Sequence, residues 1–337
     1  MIELQSPKSG ETVLLLRDEH LAYIEKPSDF PAEKVDWLNL RQGKTDTAFP
    51  RPVRFSFLPA ADGEIVVRQK GQEAFVTLQA KTGEGELYNL LAGVEYEWFV
   101  RVGDEISETR SFLTDPQAPR MLLVEGIRNV RDFGGWLTAD GRKVRQGLLY
   151  RTSEMDTHCE LTPAGAEILY GLGMRTDLDI RGIKDEYRGP VLDTDRVRWV
   201  NLPMAAYGEI DTEEQRARYR ESYDLLLNPE NYPIMCHCWG GIDRTGCWFY
   251  ILGAMLGISE DDLALDYELS SFCCWNRRSR TSEQFGEFLA VLRRYGDTVR
   301  EGAVGFLKAC GVTEEEMERL RSFFLESIPR SDWMTKE

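Results

Sequence analysis

His237-Cys238-Trp239-Gly240-Gly241-Ile242-Asp243-Arg244-Thr245-Gly246 sets one cysteine and one arginine around a glycine-bearing loop of the size that wraps a phosphate. Five residues separate Cys238 from Arg244, enough for a tight arc whose successive backbone N–H groups point inward. The apolar run over 247–258 follows as a buried helix, and a helix N-terminus aimed at such an arc favours an anion. Working upstream, the apolar run over 233–238 reads as the buried strand that delivers the cysteine.

Each residue type in the loop has a chemical reason to be there. A helix N-terminus, inward amides and a nearby cation lower a thiol pKa from about 8.5 into the range of roughly 3.5–7.5, which makes Cys238 the candidate nucleophile. The planar guanidinium of Arg244 can hold two phosphoryl oxygens at once and gains most when charge spreads over them in the transition state; a lysine has no such fork. Gly240 and Gly241 let the backbone turn closely around the anion, and Gly246 permits tight packing where the loop enters the helix. Thr245 is placed to donate its hydroxyl to the sulfur. His237 acts indirectly, orienting the loop and tuning Cys238, and Trp239 serves either the rim of the pocket or the core.

With a histidine before the cysteine and Arg-Thr-Gly closing it, the segment resembles the signature loop of the cysteine-dependent protein tyrosine phosphatases. A second stretch, Asn129-Val130-Arg131-Asp132-Phe133-Gly134-Gly135, running on to Leu149-Tyr150-Arg151-Thr152, is similar to the opening of the bacterial tyrosine and phosphoinositide phosphatase group. The resemblance implies an α/β catalytic fold with a central sheet flanked by helices. It implies hydrolysis of phosphate monoesters through a cysteinyl-phosphate, with phosphotyrosine first and dual-specificity or phosphoinositide activity behind it, and it calls for no cofactor. The group's loop carries a lysine where this chain has Ile242, which weakens the case for polyphosphorylated lipids. Asp243 matches the aspartate of that pattern and is the candidate general acid. In the wider superfamily the acid sits on a separate upstream loop, for which 207–211 offers Glu209 and Asp211; Asp211 also reads as part of a helix cap, since Thr212 to Gln215 has capping-box spacing. Asp132 and Arg151 form either an ion pair of the scaffold or part of the site.

Strand-like alternation with turn punctuation over 12–16, 53–57, 64–69, 74–79, 95–102 and 105–112 predicts an all-β sandwich over 1–114, with no helix among the strands. Leu90, Gly93 and Tyr96 resemble the tyrosine corner of fibronectin type III domains, with Ala92 where proline is usual. The residues 114–119, with two prolines, read as a linker to a phosphatase-like domain over 120–337. There, helices are expected over 162–172, 212–227 and 247–258 and from Ser259, Thr281 and Thr313, with strands over 176–180, 198–202 and 233–238.

A net charge of −16 argues against nucleic-acid partners and against adsorption to anionic membranes; the expected partner is a phosphorylated protein or a small phosphomonoester. Arg277, Arg278 and Arg280 form a basic cluster that either lines the cleft or is a solvated face. The seven cysteines show no Cys-x-x-Cys pair, so no metal is expected. The opening residues lack the basic start and apolar core of a secretory leader, and no apolar stretch reaches membrane-spanning length, so a cytoplasmic protein is expected. The alternatives are a phosphate-dependent binding module with weak catalysis and a sulfur transferase of the rhodanese type; the intact Cys238–Arg244 pair counts against the first and the Arg-Thr-Gly closure against the second.

Overall fold

Period-two alternation of apolar side chains builds the N-terminal unit, Met1–Leu21 with Pro50–Leu123, in a computed structural model that describes residues 1–25, 47–182, 185, 189–273 and 278–327. β1 (Glu3–Ser6), β3 (Val53–Leu58) and β6 (Glu84–Leu87) make one antiparallel sheet. β2 (Glu11–Val13), β9 (Arg110–Thr114), β7 (Glu95–Val102), β4 (Gly63–Gln69) and β5 (Phe75–Ala80) make another in that order, with β8 (Glu105–Ile106) paired to β7. Val53, Phe55 and Phe57 of β3 and Tyr96, Trp98 and Val100 of β7 are the buried members of their alternations, and both sets join one core with Leu4, Ile65, Val67 and Phe112. Phe55 meets Trp98 edge-on with centroids 5.1 Å apart, a favoured aromatic geometry.

The expectation that no helix interrupts these strands is corrected by α1 (Asp18–Glu25). Its eight residues fall short of the window in which helical periodicity is legible, although Asp18 and Glu19 give its first turn the acidic bias that a helix N-terminus favours. The strand expected over 105–112 is two strands, β8 and β9. β6 was not expected, because Glu84-Gly85-Glu86-Leu87 has no β-branched or aromatic residue to mark it.

After β10 (Arg120–Met121), strands and helices alternate in the second unit, Ala22–Phe49 with Val124–Glu337. Its strands run in the order β11 (Arg131–Asp132), β12 (Leu149–Thr152), β15 (Ile234–His237), β13 (Thr176–Asp179), β14 (Arg198–Asn201). β11 is antiparallel to β12 and the others are parallel. The helices are α2 (Pro163–Gly171), α3 (Glu213–Leu227), α4 (Asp243–Leu256), α5 (Glu260–Leu269), α6 (Glu283–Arg293), α7 (Val299–Ala309) and α8 (Glu314–Phe324). Thr162 caps α2 and Pro163 takes its first position, where the missing N–H costs nothing. Three expectations are corrected. α4 begins at Asp243 rather than at 247, so the loop's last residues already belong to the helix. α6 is capped by Ser282, whose hydroxyl accepts from Phe285 N–H, rather than by Thr281. α7 was not foreseen, although Thr298 and Glu301 form a reciprocal capping box. No helix among the described residues is long and apolar enough to cross a membrane.

α4 is buried from Thr245 to Leu256 and is the element against which the site is fixed. At its Gly253 an added Cβ would stand 2.4 Å from Leu263 Cδ2 and 3.0 Å from Phe133 Cζ. Gly253→Ala is therefore expected to destabilise the protein by about 1–3 kcal/mol through overpacking, measured by urea denaturation.

Candidate active site

β15 lies between β12 and β13 in the parallel set, and its register brings Thr152 of β12 and Asp179 of β13 beside His237. The chain leaves that strand at the carboxyl edge of the sheet, where open α/β sheets hold ligands. It then passes through Cys238, 2 % exposed, into α4, whose N-cap residue Ile242 makes no side-chain capping bond. An uncapped helix start leaves N–H groups for an anion.

The loop is braced from outside. Asn129 Nδ2 donates to the carbonyls of Gly240 and Gly241, both at 3.0 Å; Arg151 Nη2 donates to Gly241 O at 2.7 Å; and Glu154 N–H donates to Trp239 O at 2.8 Å. These bonds take up the carbonyls of Trp239, Gly240 and Gly241 from outside the arc. Gly241 has φ +65°, and a Cβ there would lie 2.0 Å from Thr152 O, so only glycine fits. Gly246 lies against the Tyr267 ring, where a Cβ would be 3.0 Å from Cδ2.

Arg151 and Arg131 share one buried carboxylate, Asp266. Arg131 Nε reaches Oδ1 at 2.9 Å and Arg151 Nη1 donates to Oδ2. Burial opposes the charge on Asp266, but the two guanidinium groups outweigh it and hold its carboxyl below the ordinary range. This corrects the pairing of Arg151 with Asp132. Asp132 is fully buried and accepts Gly134 N–H at 2.8 Å and Gly147 N–H at 2.7 Å, holding the turn between β11 and β12.

Burial pushes the Cys238 thiol up, yet the Arg244 charge, the Thr245 hydroxyl and the Thr245 N–H together bring it below its ordinary value. The Thr245 hydroxyl is buried with no hydrogen bond of ordinary geometry, so a thiolate beside it is the acceptor it lacks. Arg244 is itself held: Nη1 and Nη2 meet Asp185 Oδ2 and Oδ1 at 2.6 and 2.8 Å. Burial works against its charge, but Asp185 and Cys238 raise it above the usual guanidinium value.

His237 is fully buried. Its Nδ1 lies 3.1 Å from Cys238 O and its Nε2 lies 3.1 Å from Asp177 Oδ1. Alignment of the second contact falls short of a hydrogen bond, so it acts as an ion pair. Burial pushes the imidazole down, but the Asp177 charge, with Asp179 behind it, brings it up to about 9.

Around the mouth, the Trp239 indole N–H donates to His158 Nδ1 at 3.0 Å and the rings stand edge-on at 4.5 Å. Ile242 is 5 % exposed. Asp243 accepts Arg278 Nε on Oδ1 at 2.6 Å and Nη2 on Oδ2 at 2.8 Å, with the Tyr207 hydroxyl also on Oδ1. Of the two upstream acids, Asp211 is held by Arg216 at 2.6 Å, Arg294 at 2.9 Å and the Tyr295 hydroxyl at 2.6 Å, a scaffold cluster. Glu209 is exposed. Thr212 caps α3, but Gln215 turns its carbonyl to Ala205 N–H at 2.7 Å instead of closing a capping box. Arg280 pairs with Glu268 at 2.8 Å and Asp261 at 3.0 Å; Arg277 lies outside the described residues. A cavity of about 650 Å³ lined by Arg145, Leu226, Leu227, Leu320 and Phe323 shares no residue with the loop.

Asn129, Asp185, Asp177 and Tyr207 were not assigned roles from sequence. Asp177 and Asp179 did leave a signal, as two acids in the buried four-residue strand β13; Asp185 left none.

The tyrosine phosphatase family matches residues 122–326. A protein of Cupriavidus necator named as a tyrosine-protein phosphatase is 28 % identical over 189 residues, 45 % of this chain and 66 % of that protein, so the match spans just under two thirds of the relative. A tyrosine-protein phosphatase of Nostoc commune is 21 % identical over 209 residues, 48 % of this chain and 69 % of that protein. Among solved structures, Pseudomonas aeruginosa TpbA in complex with pTyr is similar at 18 % identity and TM-score 0.33, covering 51 % of this chain and 91 % of that one. The Siw14 catalytic core is similar at 17 % and 0.33, covering 56 % and 89 %.

Two outcomes follow from this geometry. Asn129→Ala withdraws a donor from the carbonyls of Gly240 and Gly241 and is expected to lower kcat/KM on an aryl phosphate at least tenfold, the order expected when an anion-holding loop loses its preorganisation. The His237–Asp177 pair stabilises the fold fully below about pH 6.5, the ordinary imidazole pKa. That contribution is lost as pH rises through about 9. Urea denaturation across that interval should show the decline in wild type and a flatter profile in Asp177→Asn.

Proposed function

Because the chain belongs to the tyrosine phosphatase family over residues 122–326, we propose that it hydrolyses phosphate monoesters, phosphotyrosine foremost, through a phosphoryl group carried on Cys238. The observation that carries this is the lowered Cys238 thiol beside the Arg244 guanidinium and the uncapped start of α4. In the proposed sequence the thiolate attacks phosphorus while the inward amides and Arg244 take up the charge spreading over the phosphoryl oxygens. Water then releases phosphate. Asp243 is the acid–base group of the cycle.

Phosphotyrosine is favoured over a polyphosphorylated lipid because the loop has means for a single phosphate. Ile242 is buried and apolar where a second cation would stand. Arg278 and Arg280 are each committed to a carboxylate of the chain. The binding-module reading is disfavoured, since capture alone gives a depressed thiol no purpose. For the N-terminal unit, Leu91 N–H donates to the Tyr96 hydroxyl at 3.0 Å, which supports a fibronectin type III-like sandwich serving as an interaction or positioning module.

The test is turnover in EDTA of phosphotyrosine, phosphoserine and phosphoinositide substrates by wild type and Cys238→Ser. The expected result is wild-type turnover fastest on phosphotyrosine and none from the variant. Equal rates from both proteins, or none from wild type, would overturn the proposal.

A further inference from the structure

Three side chains from three places in the chain gather around the Asp243 carboxylate, next to Arg244, and none of the three has a part in the reaction proposed above. Asp243 opens α4. Tyr207 belongs to the short turn Tyr207–Ile210 that follows β14, Tyr267 to α5, and Arg278 to the segment before α6. Arg278 closes a parallel two-point pair on both oxygens of Asp243, and its backbone is fixed by Ser271, which accepts its N–H at 2.8 Å and donates to its carbonyl at 3.2 Å. The Tyr207 hydroxyl donates to Oδ1 of the same carboxylate and lies 2.7 Å from the Tyr267 hydroxyl. Tyr207 adopts φ +57°, a left-handed backbone that a bulky residue takes only when its surroundings impose it. Its N–H is tied to Cys247 Sγ at 3.3 Å.

These contacts have a direction. Arg278 has only donors, and burial, then the Asp243 charge, drives the Tyr207 phenol far above its ordinary value, so it keeps its proton. Donors on both oxygens fix the plane and direction of the Asp243 carboxylate, whose remaining lone pairs can accept a proton. It also stands close enough to Cys238 for its charge to act on the thiol.

We propose that Tyr207 and Arg278 are positioning residues for the second chemical step, holding the Asp243 carboxylate as proton acceptor for the water that hydrolyses the Cys238 phosphoryl group. This rests on the phosphatase reading above. In that step the water oxygen bonds to phosphorus and one water proton passes to Asp243. The S–P bond breaks, its electron pair returns to Cys238, and inorganic phosphate leaves.

The experiment is stopped-flow and steady-state kinetics of Tyr207→Phe and Arg278→Lys on 4-nitrophenyl phosphate and phenyl phosphate, beside wild type and Cys238→Ser. If the clamp serves hydrolysis of the intermediate, each variant releases a burst of about one 4-nitrophenol per protein. Its kcat falls about tenfold and to the same value on both esters, while kcat/KM stays within about twofold of wild type. A preserved kcat/KM also shows that the variants fold. If kcat and kcat/KM fall together without a burst, or if neither changes, the inference is overturned while wild-type turnover leaves the phosphatase reading intact. If wild type shows no Cys238-dependent turnover, that reading fails and takes the inference with it.

Discussion

Asn129 and Arg151 hold the carbonyls of Gly240 and Gly241, and that bracing fixes the backbone of the loop between Cys238 and Arg244. Neither side chain is free to swing. Asn129 Oδ1 accepts from Arg131 Nη1, Arg131 Nη2 donates to Asp266 O at 2.6 Å and to Ser270 Oγ at 3.0 Å, and Asp266 bridges Arg131 to Arg151. Two buried guanidinium groups and one buried carboxylate are costly to take from water and persist only when nearly every donor has a partner. Here the two arginines come from β11 and β12 and the carboxylate from α5, so packing of the sheet and of α5 fixes the loop before any ligand arrives. The lowered Cys238 thiol and the seat of Arg244 depend on that fixed shape.

Charge around the loop is arranged in pairs. The chain carries a net charge of −16, yet the loop carries one guanidinium, that of Arg244, at the uncapped start of α4. Arg244 presents its Nη end to Asp185 and also interacts with Cys238. The bidentate pair fixes the plane of its guanidinium. Arg278 is matched by Asp243 in the same way.

The parts of the site contiguous in sequence were legible, and those made by the fold were not. Cys238, Arg244 and the glycines stand in one decade of residues, so their spacing announced a strand, an arc and a helix. Asn129 sat in a motif that was noticed, but its partner lies 111 residues away. For Arg151 the sequence offers Asp132 as a scaffold partner beside a role in the site, whereas its carboxylate comes from Asp266, 115 residues on. Asp185 reaches Arg244 across 59 residues, a contact no local pattern encodes. Secondary structure shows the same division. Thr162-Pro163 and Thr313 marked their helices because caps are local, whereas the short helix α1 and the strand β6 depend on neighbours that a window along the chain does not see.

The most direct test of Cys238 as the phosphoryl carrier is to quench the wild-type protein with acid milliseconds after mixing with an aryl phosphate and to map the phosphate by peptide mass spectrometry under acidic conditions. A phosphoryl group on Cys238, formed and lost at rates consistent with turnover, is the predicted result. Turnover with no covalent phosphate on the protein, or with phosphate on a different residue, would contradict it.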